Sequence, residues 1–270
     1  MTSREALLWR LDLNSSEPVT EPKYSYLFGT MHSAAFDAVD KASRVYEFID
    51  QCTHYYGETD LDNPLLSQSQ SKEIREWDGL KNNINPSSYR KIRNILKLKS
   101  GIDLDHIQSM PPLILQTYIS ENLMSGQSFQ PPLDMLLWTY ARQINKEVGG
   151  IESAEDQERI YRKIPLKFQN KQLKDALLHI SRTTRHLHKL TTAYYRGDLT
   201  RLYKLSKPSL GPIKSLLLTD RNKKMADKIY EILHMDQTSF IAVGAAHLPG
   251  LKGILRMLKK QGVRLKSIPI

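Results

Sequence analysis

Two tetrapeptides hold the residues best placed to do chemistry: Gly29-Thr30-Met31-His32 and Gly244-Ala245-Ala246-His247. Each puts a histidine three residues after a glycine, at the end of a short apolar run. Glu58 follows a third such run. Glycine permits a sharp turn and a close approach of backbone or ligand. Ligands of open α/β sheets gather beyond the carboxyl ends of the strands. If the two turns are neighbours in one sheet, His32 and His247 converge, and Glu58 reaches the same rim. Two imidazoles and one carboxylate form the ligand set of open catalytic sites for zinc and other divalent first-row metals. The competing reading of either histidine alone is a surface or core-satisfied imidazole near a turn. The matching positions of the two favour a site.

The elements that must carry these residues can be read from hydrophobic periodicity. Leu7–Leu13, Tyr24–Phe28 and His54–Tyr56 read as strands. Between the last two, apolar residues at three- and four-residue steps give an amphipathic helix over Ala38–Gln51, with Asp37 as its N-cap. The same grammar returns at the other end. Ser239–Val243 is a buried-type strand, Leu251–Lys260 a helix closed by Gly262 as C′ glycine, and Val263–Ile268 a half-exposed strand. The middle is mostly helical, with Ala154–Ile164, Gln172–Tyr195 and Asn222–Leu233 as clear stretches and one more strand near 148–152. The expected fold is therefore α/β: a central sheet built from N- and C-terminal βαβ-like units, each bearing Gly-x-x-His, with a large helical insertion. One domain spans 1–270, its α/β core in 1–64 and 236–270 and its helical region in 65–235.

The blocks Leu7-Leu8-Trp9-Arg10, Tyr26-Leu27-Phe28-Gly29-Thr30-Met31-His32, Glu58 and Val243-Gly244-Ala245-Ala246-His247-Leu248-Pro249-Gly250 together resemble the TraB/GumN family. That family includes the Tiki proteins and is related to the ChaN and erythromycin-esterase-like fold. Leu133-Asp134, Gly150-Ile151-Glu152-Ser153, Tyr195-Arg196-Gly197-Asp198 and Asp220-Arg221-Asn222 are similar to its intermediate blocks, so the resemblance covers nearly the whole chain. It implies an α/β fold with paired Gly-x-x-His motifs and, in the Tiki branch, a divalent-metal-dependent peptidase. Carried over by position, His32, Glu58 and His247 correspond to metal-site residues. Glu152, Arg221 and Asn222 correspond to further polar positions of the same cleft. The implied cofactor is a divalent cation such as Mn, Co or Zn. Glu152 then serves as general base, Arg221 stabilises an oxyanion or a substrate carboxylate, and Asn222 holds a carbonyl or a ligating carboxylate. Simpler roles compete: Asp220 as N-cap of the helix holding Arg221 and Asn222, and Glu152 as a cap for the helix at Ala154. This sequence departs from the family in reading Ile-Glu-Ser where Leu-Glu-Thr is more usual.

The expected function is a metal-dependent, peptidase-like hydrolase acting on a peptide or small molecule. The alternative is a non-catalytic protein binding metal, haem or a small ligand. The 270 residues hold 39 basic and 29 acidic side chains, a net charge of +10, with 40% hydrophobic residues. That composition excludes collagen-like and wholly disordered classes. The charge invites a nucleic-acid reading. Yet the densest basic stretch (Arg182, Arg185, Lys189, Arg196, Arg201 and Lys204), taken as one helix, spreads its cations around the circumference, so nucleic acid is not the expected partner. His186 and His188, two apart, do not share a helix face. The one cysteine, Cys52, rules out an intramolecular disulfide and thiolate zinc sites, and reads as a small semi-buried residue. No apolar run reaches the ~18 residues of a membrane span, and no signal peptide is legible, so a cytoplasmic location is expected.

Overall fold

The structure, a computed structural model, describes residues 6–13, 24–31, 38–63, 77–125, 131–213 and 215–270. His32 and the N-cap expected at Asp37 lie outside the described residues. Six strands form one mixed sheet: β1 (Leu8–Asp12), β2 (Ser25–Thr30), β3 (His54–Thr59), β4 (Glu147–Glu152), β5 (Ser239–Gly244) and β6 (Arg264–Ile268). Their order is β4-β3-β5-β2-β1-β6. The β4-β3-β5-β2 part is parallel, whereas β1 runs antiparallel to both β2 and β6.

The two ends of the chain do build neighbouring strands. β2 and β5 pair in parallel, with Gly29 opposite Val243 and Thr30 opposite Gly244. Both are buried along almost their whole length, which explains why they read as continuous apolar runs without alternation. β3 alternates, with Tyr55, Gly57 and Thr59 buried. It continues through Glu58 and Thr59, further than its apolar residues indicated.

The helices are α1 (Ala38–Asp50), α2 (Pro86–Ser100), α3 (Pro112–Ser125), α4 (Leu133–Gln143), α5 (Ala154–Arg162), α6 (Leu166–Leu178), α7 (Ile180–Tyr195), α8 (Leu199–Leu210), α9 (Asp220–Leu233) and α10 (Ile254–Lys260). Single-turn helices occupy Leu80–Asn83 and Leu104–Ile107. The stretch expected as one helix over 172–195 begins earlier, after Pro165, and breaks at His179, where φ is −116° and ψ 41°. Neither Pro nor Gly marks that break, so periodicity reads through it. α10 closes as expected: Gly262 adopts a φ of 93°, and Val263 N–H bonds back to Leu258 C=O at 3.0 Å.

One apolar core lies along the sheet, with Leu8, Leu27, Phe28, Val45, Ile49, Phe240 and Ile241 among its most buried residues. A second joins α2, α3 and α6 through Ile92, Leu96, Leu115 and Leu173. Among the described residues, no helix is long and apolar enough to cross a membrane.

Candidate active site

The β3–β5 ladder runs only from His54↔Ser239 to Tyr56↔Ile241, while β3 stays paired with β4 as far as Thr59↔Glu152. β3 and β5 therefore part near their carboxyl ends, and the Glu58 side chain closes the gap. Its Oε2 accepts the Gly244 N–H at 2.7 Å. This strand-end carboxylate thus satisfies a backbone donor that the sheet no longer serves.

Glu152 is the last residue of β4 and is only 6% exposed. The cap of α5 is Ser153, whose hydroxyl accepts from Asp156 N–H, so capping is not the role of Glu152. Arg221 ties the two carboxylates together. Its Nε donates to both oxygens of Glu152 at 3.0 Å, and its Nη2 bonds Glu152 Oε2 and Glu58 Oε1. Burial works against the guanidinium charge. The hydrogen bond to Glu152 and the charges of Glu58 and Glu152 outweigh it and raise the Arg221 pKa above its ordinary value. Among the described residues, Nη1 has no hydrogen-bond partner, so one edge of the guanidinium is not committed to the carboxylates.

Arg221 and Asn222 are the second and third residues of α9. The N-cap expected at Asp220 is not seen. Asp220 is itself helical, Thr219 before it makes no side-chain cap, and Ser215–Thr219 forms a wider π-helical turn. Such turns gather at functional sites. Asn222, 3% exposed, donates from Nδ2 to the Lys252 carbonyl at 2.7 Å. That bond fixes the amide, so its Oδ1 is the acceptor facing His247 Nδ1 at 2.6 Å. Nδ1 must carry the hydrogen, and in the neutral ring Nε2 holds the lone pair. His247, 6% exposed, sits on the 3₁₀ turn Ala245–His247 that follows β5, and its Nε2 lies 4.0 Å from Glu58 Oε1.

Five of the six polar residues singled out from the sequence therefore meet: Glu58, Glu152, Arg221, Asn222 and His247. His32, the sixth, is two residues past the end of β2 and outside the described residues. Gly244 belongs to the site through its N–H. Gly29 is structural: its N–H donates to Leu7 C=O at 2.9 Å and its carbonyl accepts the Tyr194 hydroxyl at 2.8 Å.

Beside the cluster opens a cavity of about 160 Å³, lined among others by Thr30, Glu58, Asp134, Trp138, Gln157 and Tyr161. Sequence reasoning missed Gln157 and Tyr161. They lie one helical turn apart on α5, directly after Glu152, and this polar pair at i, i+4 was the available signal. Gln157 donates to Thr59 Oγ1 and so fastens α5 to the end of β3. Cys52, by contrast, is buried, and burial pushes its thiol up to about 12, which fits a packing residue and not a nucleophile.

Among the described residues, no three His, Cys, Asp or Glu side chains are grouped to hold a metal ion. The donor types suit one: His247 Nε2 and Glu58 Oε1 lie 4.0 Å apart and would share an ion after closing by ~0.5 Å toward the ~3.4 Å spacing of tetrahedral ligands. A histidine whose Nδ1–H is held by an oxygen is the usual form of a metal-ligating imidazole.

No curated protein and no solved structure matches the chain. The TraB/PrgY/gumN family model matches residues 7–267, and the chain belongs to that family.

Proposed function

We propose that the protein is a divalent-metal-dependent hydrolase that cleaves amide bonds at the Glu58–Arg221–His247 cluster. The observation that carries this reading is the contact between Asn222 Oδ1 and His247 Nδ1. Asn222 Oδ1 accepts a hydrogen bond from Nδ1, which leaves the lone pair on Nε2, 4.0 Å from Glu58 Oε1. The residues that would hold the ion are His247, Glu58 and, by its position after β2, His32. A bound divalent cation supplies hydroxide at neutral pH by lowering the pKa of water toward ~7. Two carboxylates and one guanidinium leave the cluster with one net negative charge when His247 is neutral, which favours a cation.

Arg221 has two tasks. Through Nε and Nη2 it neutralises Glu152 and orients Glu58. Its Nη1 edge remains to stabilise negative charge developing on a substrate carbonyl oxygen. Glu152 first holds the guanidinium. It would take a proton from the attacking water and pass it to the leaving nitrogen only when Arg221 releases one of its oxygens. Tyr161, 49% exposed, lines the cavity beside Glu58.

The test is metal stoichiometry together with peptide turnover in the chelator-stripped and reloaded protein. His247→Ala and His32→Ala should each lose metal and activity while keeping the fold. Unchanged metal binding in both would overturn the reading. One observation favours binding without turnover: Arg221 already occupies oxygens of both carboxylates. Tight metal binding with no cleavage of a mixed peptide pool would establish that alternative.

A further inference from the structure

We propose that the outer face of α6 and α7 is a binding surface for the phosphate backbone of a nucleic-acid duplex. With ~100° per residue, Arg182, Arg185, Lys189 and Arg196 fall within an arc of ~60°, and Lys167, Lys171 and Lys174 share a similar arc on α6. The sequence alone pointed to cations scattered round one helix. That reading fails because α7 ends at Tyr195, and Arg201 and Lys204 belong to the separate helix α8.

Six of these seven side chains are exposed, and Lys174 is half-buried. Among the described residues none of the seven takes part in a salt bridge. On α9, by contrast, Lys223, Lys224 and Lys228 pair with Asp227, Asp156 and Glu231. α7 contains no acidic residue, and Asp175 is the single acid on α6. Ile180 and Tyr194 hold α7 from the side opposite its stripe, Leu173 and Leu177 hold α6 about 80–120° round from its own, and buried Ala193 flanks the α7 stripe. The exposed stripes are therefore held on rigid, packed helices, with their charge uncompensated from within.

The partner follows from the shape of this charge. Along α7 and its C-cap residue Arg196 the four cations form a line ~21 Å long and about one side chain wide. Each strand of a duplex carries one phosphate per ~3.4 Å of helix axis, so a line of this length faces several, and arginine matches phosphate with paired donors. A bilayer rewards apolar and aromatic side chains among the basic ones. Here Leu178 is the only exposed large hydrophobic residue on either helix, and neither stripe carries an aromatic residue for membrane anchoring or base stacking. Recognition is of backbone charge, without sequence preference.

The experiment is fluorescence anisotropy of the full chain with a labelled duplex of about 20 base pairs, at salt from about 50 to about 200 mM. Wild type should bind at low salt and weaken at least about tenfold across that range. Arg182→Glu with Arg185→Glu should lose at least about tenfold at low salt and flatten the log–log salt slope by about two. Lys259→Glu with Lys260→Glu on α10 changes net charge equally and should shift affinity less than about twofold. Arg182→Gln with Arg185→Gln, less perturbing to the fold, should show a smaller loss in the same direction. Equal losses in both Glu pairs, or no duplex binding by wild type, would overturn the proposal. So would binding to phosphatidylserine-containing vesicles in preference to the duplex.

Discussion

Asn222 Oδ1 sits 2.6 Å from His247 Nδ1, and the amide that presents it is locked by a second bond from Nδ2 to the Lys252 carbonyl. A residue near the start of α9 and the loop before α10 together set which nitrogen of a strand-end histidine carries the proton. Replacing Asn222 with Ala removes both bonds. The expected outcome is a mixed His247 tautomer, read by nitrogen NMR of the imidazole, and a loss of about 10–100-fold in metal affinity. An unchanged tautomer would show that the ring is held by other contacts.

Arg221 is the only cation bonded to Glu58 and Glu152 among the described residues, and the three side chains are 12%, 14% and 3% exposed. Arg221→Gln leaves two buried carboxylates facing each other and should cost about 3–5 kcal/mol of stability, measured by urea unfolding. Arg221→Lys keeps the charge without the forked donors and should fall between the two. Adding Glu152→Gln to Arg221→Gln should recover part of the deficit, because it removes the uncompensated charge. A deficit unchanged in the double variant would refute this electrostatic account.

A Cβ placed on Gly244 would come 3.1 Å from Glu58 Oε2 and 3.3 Å from His247 Cδ2. Both neighbours belong to the site, so Gly244→Ala should disturb it more than the fold. Activity or metal affinity should drop at least tenfold, with a stability loss no more than about 1–3 kcal/mol. At Gly150 the Cβ would meet the Asp60 backbone nitrogen at 2.5 Å, so Gly150→Ala should instead force the β3 and β4 ends apart. Comparing melting temperature with activity for the two variants checks the distinction.

Alkaline pH should destabilise the protein by a definable route. Burial pushes the Cys52 thiol up to about 12, opposed by Lys146, and holds the Tyr55 and Tyr194 phenols well above their ordinary value. Each folded pKa is higher than its unfolded one, so the native state keeps protons that the unfolded state releases. The resulting stability is complete below about pH 8.5 and declines toward pH 12, by about 1.4 kcal/mol per pH unit for each proton difference. Urea midpoints across that range test the slope. Cys52 should also resist thiol reagents until the protein unfolds.

Much of the fold was legible because local order is written locally. All six strands are legible, since buried β2 and β5 read as unbroken apolar runs and the edge strand β6 as a mixed apolar and polar one. The missed features were those without a local mark. The break at His179 has neither Pro nor Gly, the π-helical turn before Asp220 looks like ordinary helix, and β3 hides its last residues behind polar Glu58 and Thr59.

The sequence by itself determined which side chains could act: a repeated Gly-x-x-His, a strand-end glutamate, and an Asp-Arg-Asn block opening a helix. Only the tertiary structure decided their relations. Register puts Thr30 beside Gly244 and Thr59 beside Glu152, and the parting of β3 from β5 gives Glu58 a backbone N–H to hold. Arg221 proved to be a bridge between two carboxylates, not a guanidinium waiting wholly for substrate. The lone pair of His247 is set by an amide 25 residues away in the chain. Residue types follow from local chemistry, but a proton's position and an ion pair's partners depend on distances that only the assembled sheet and helices create.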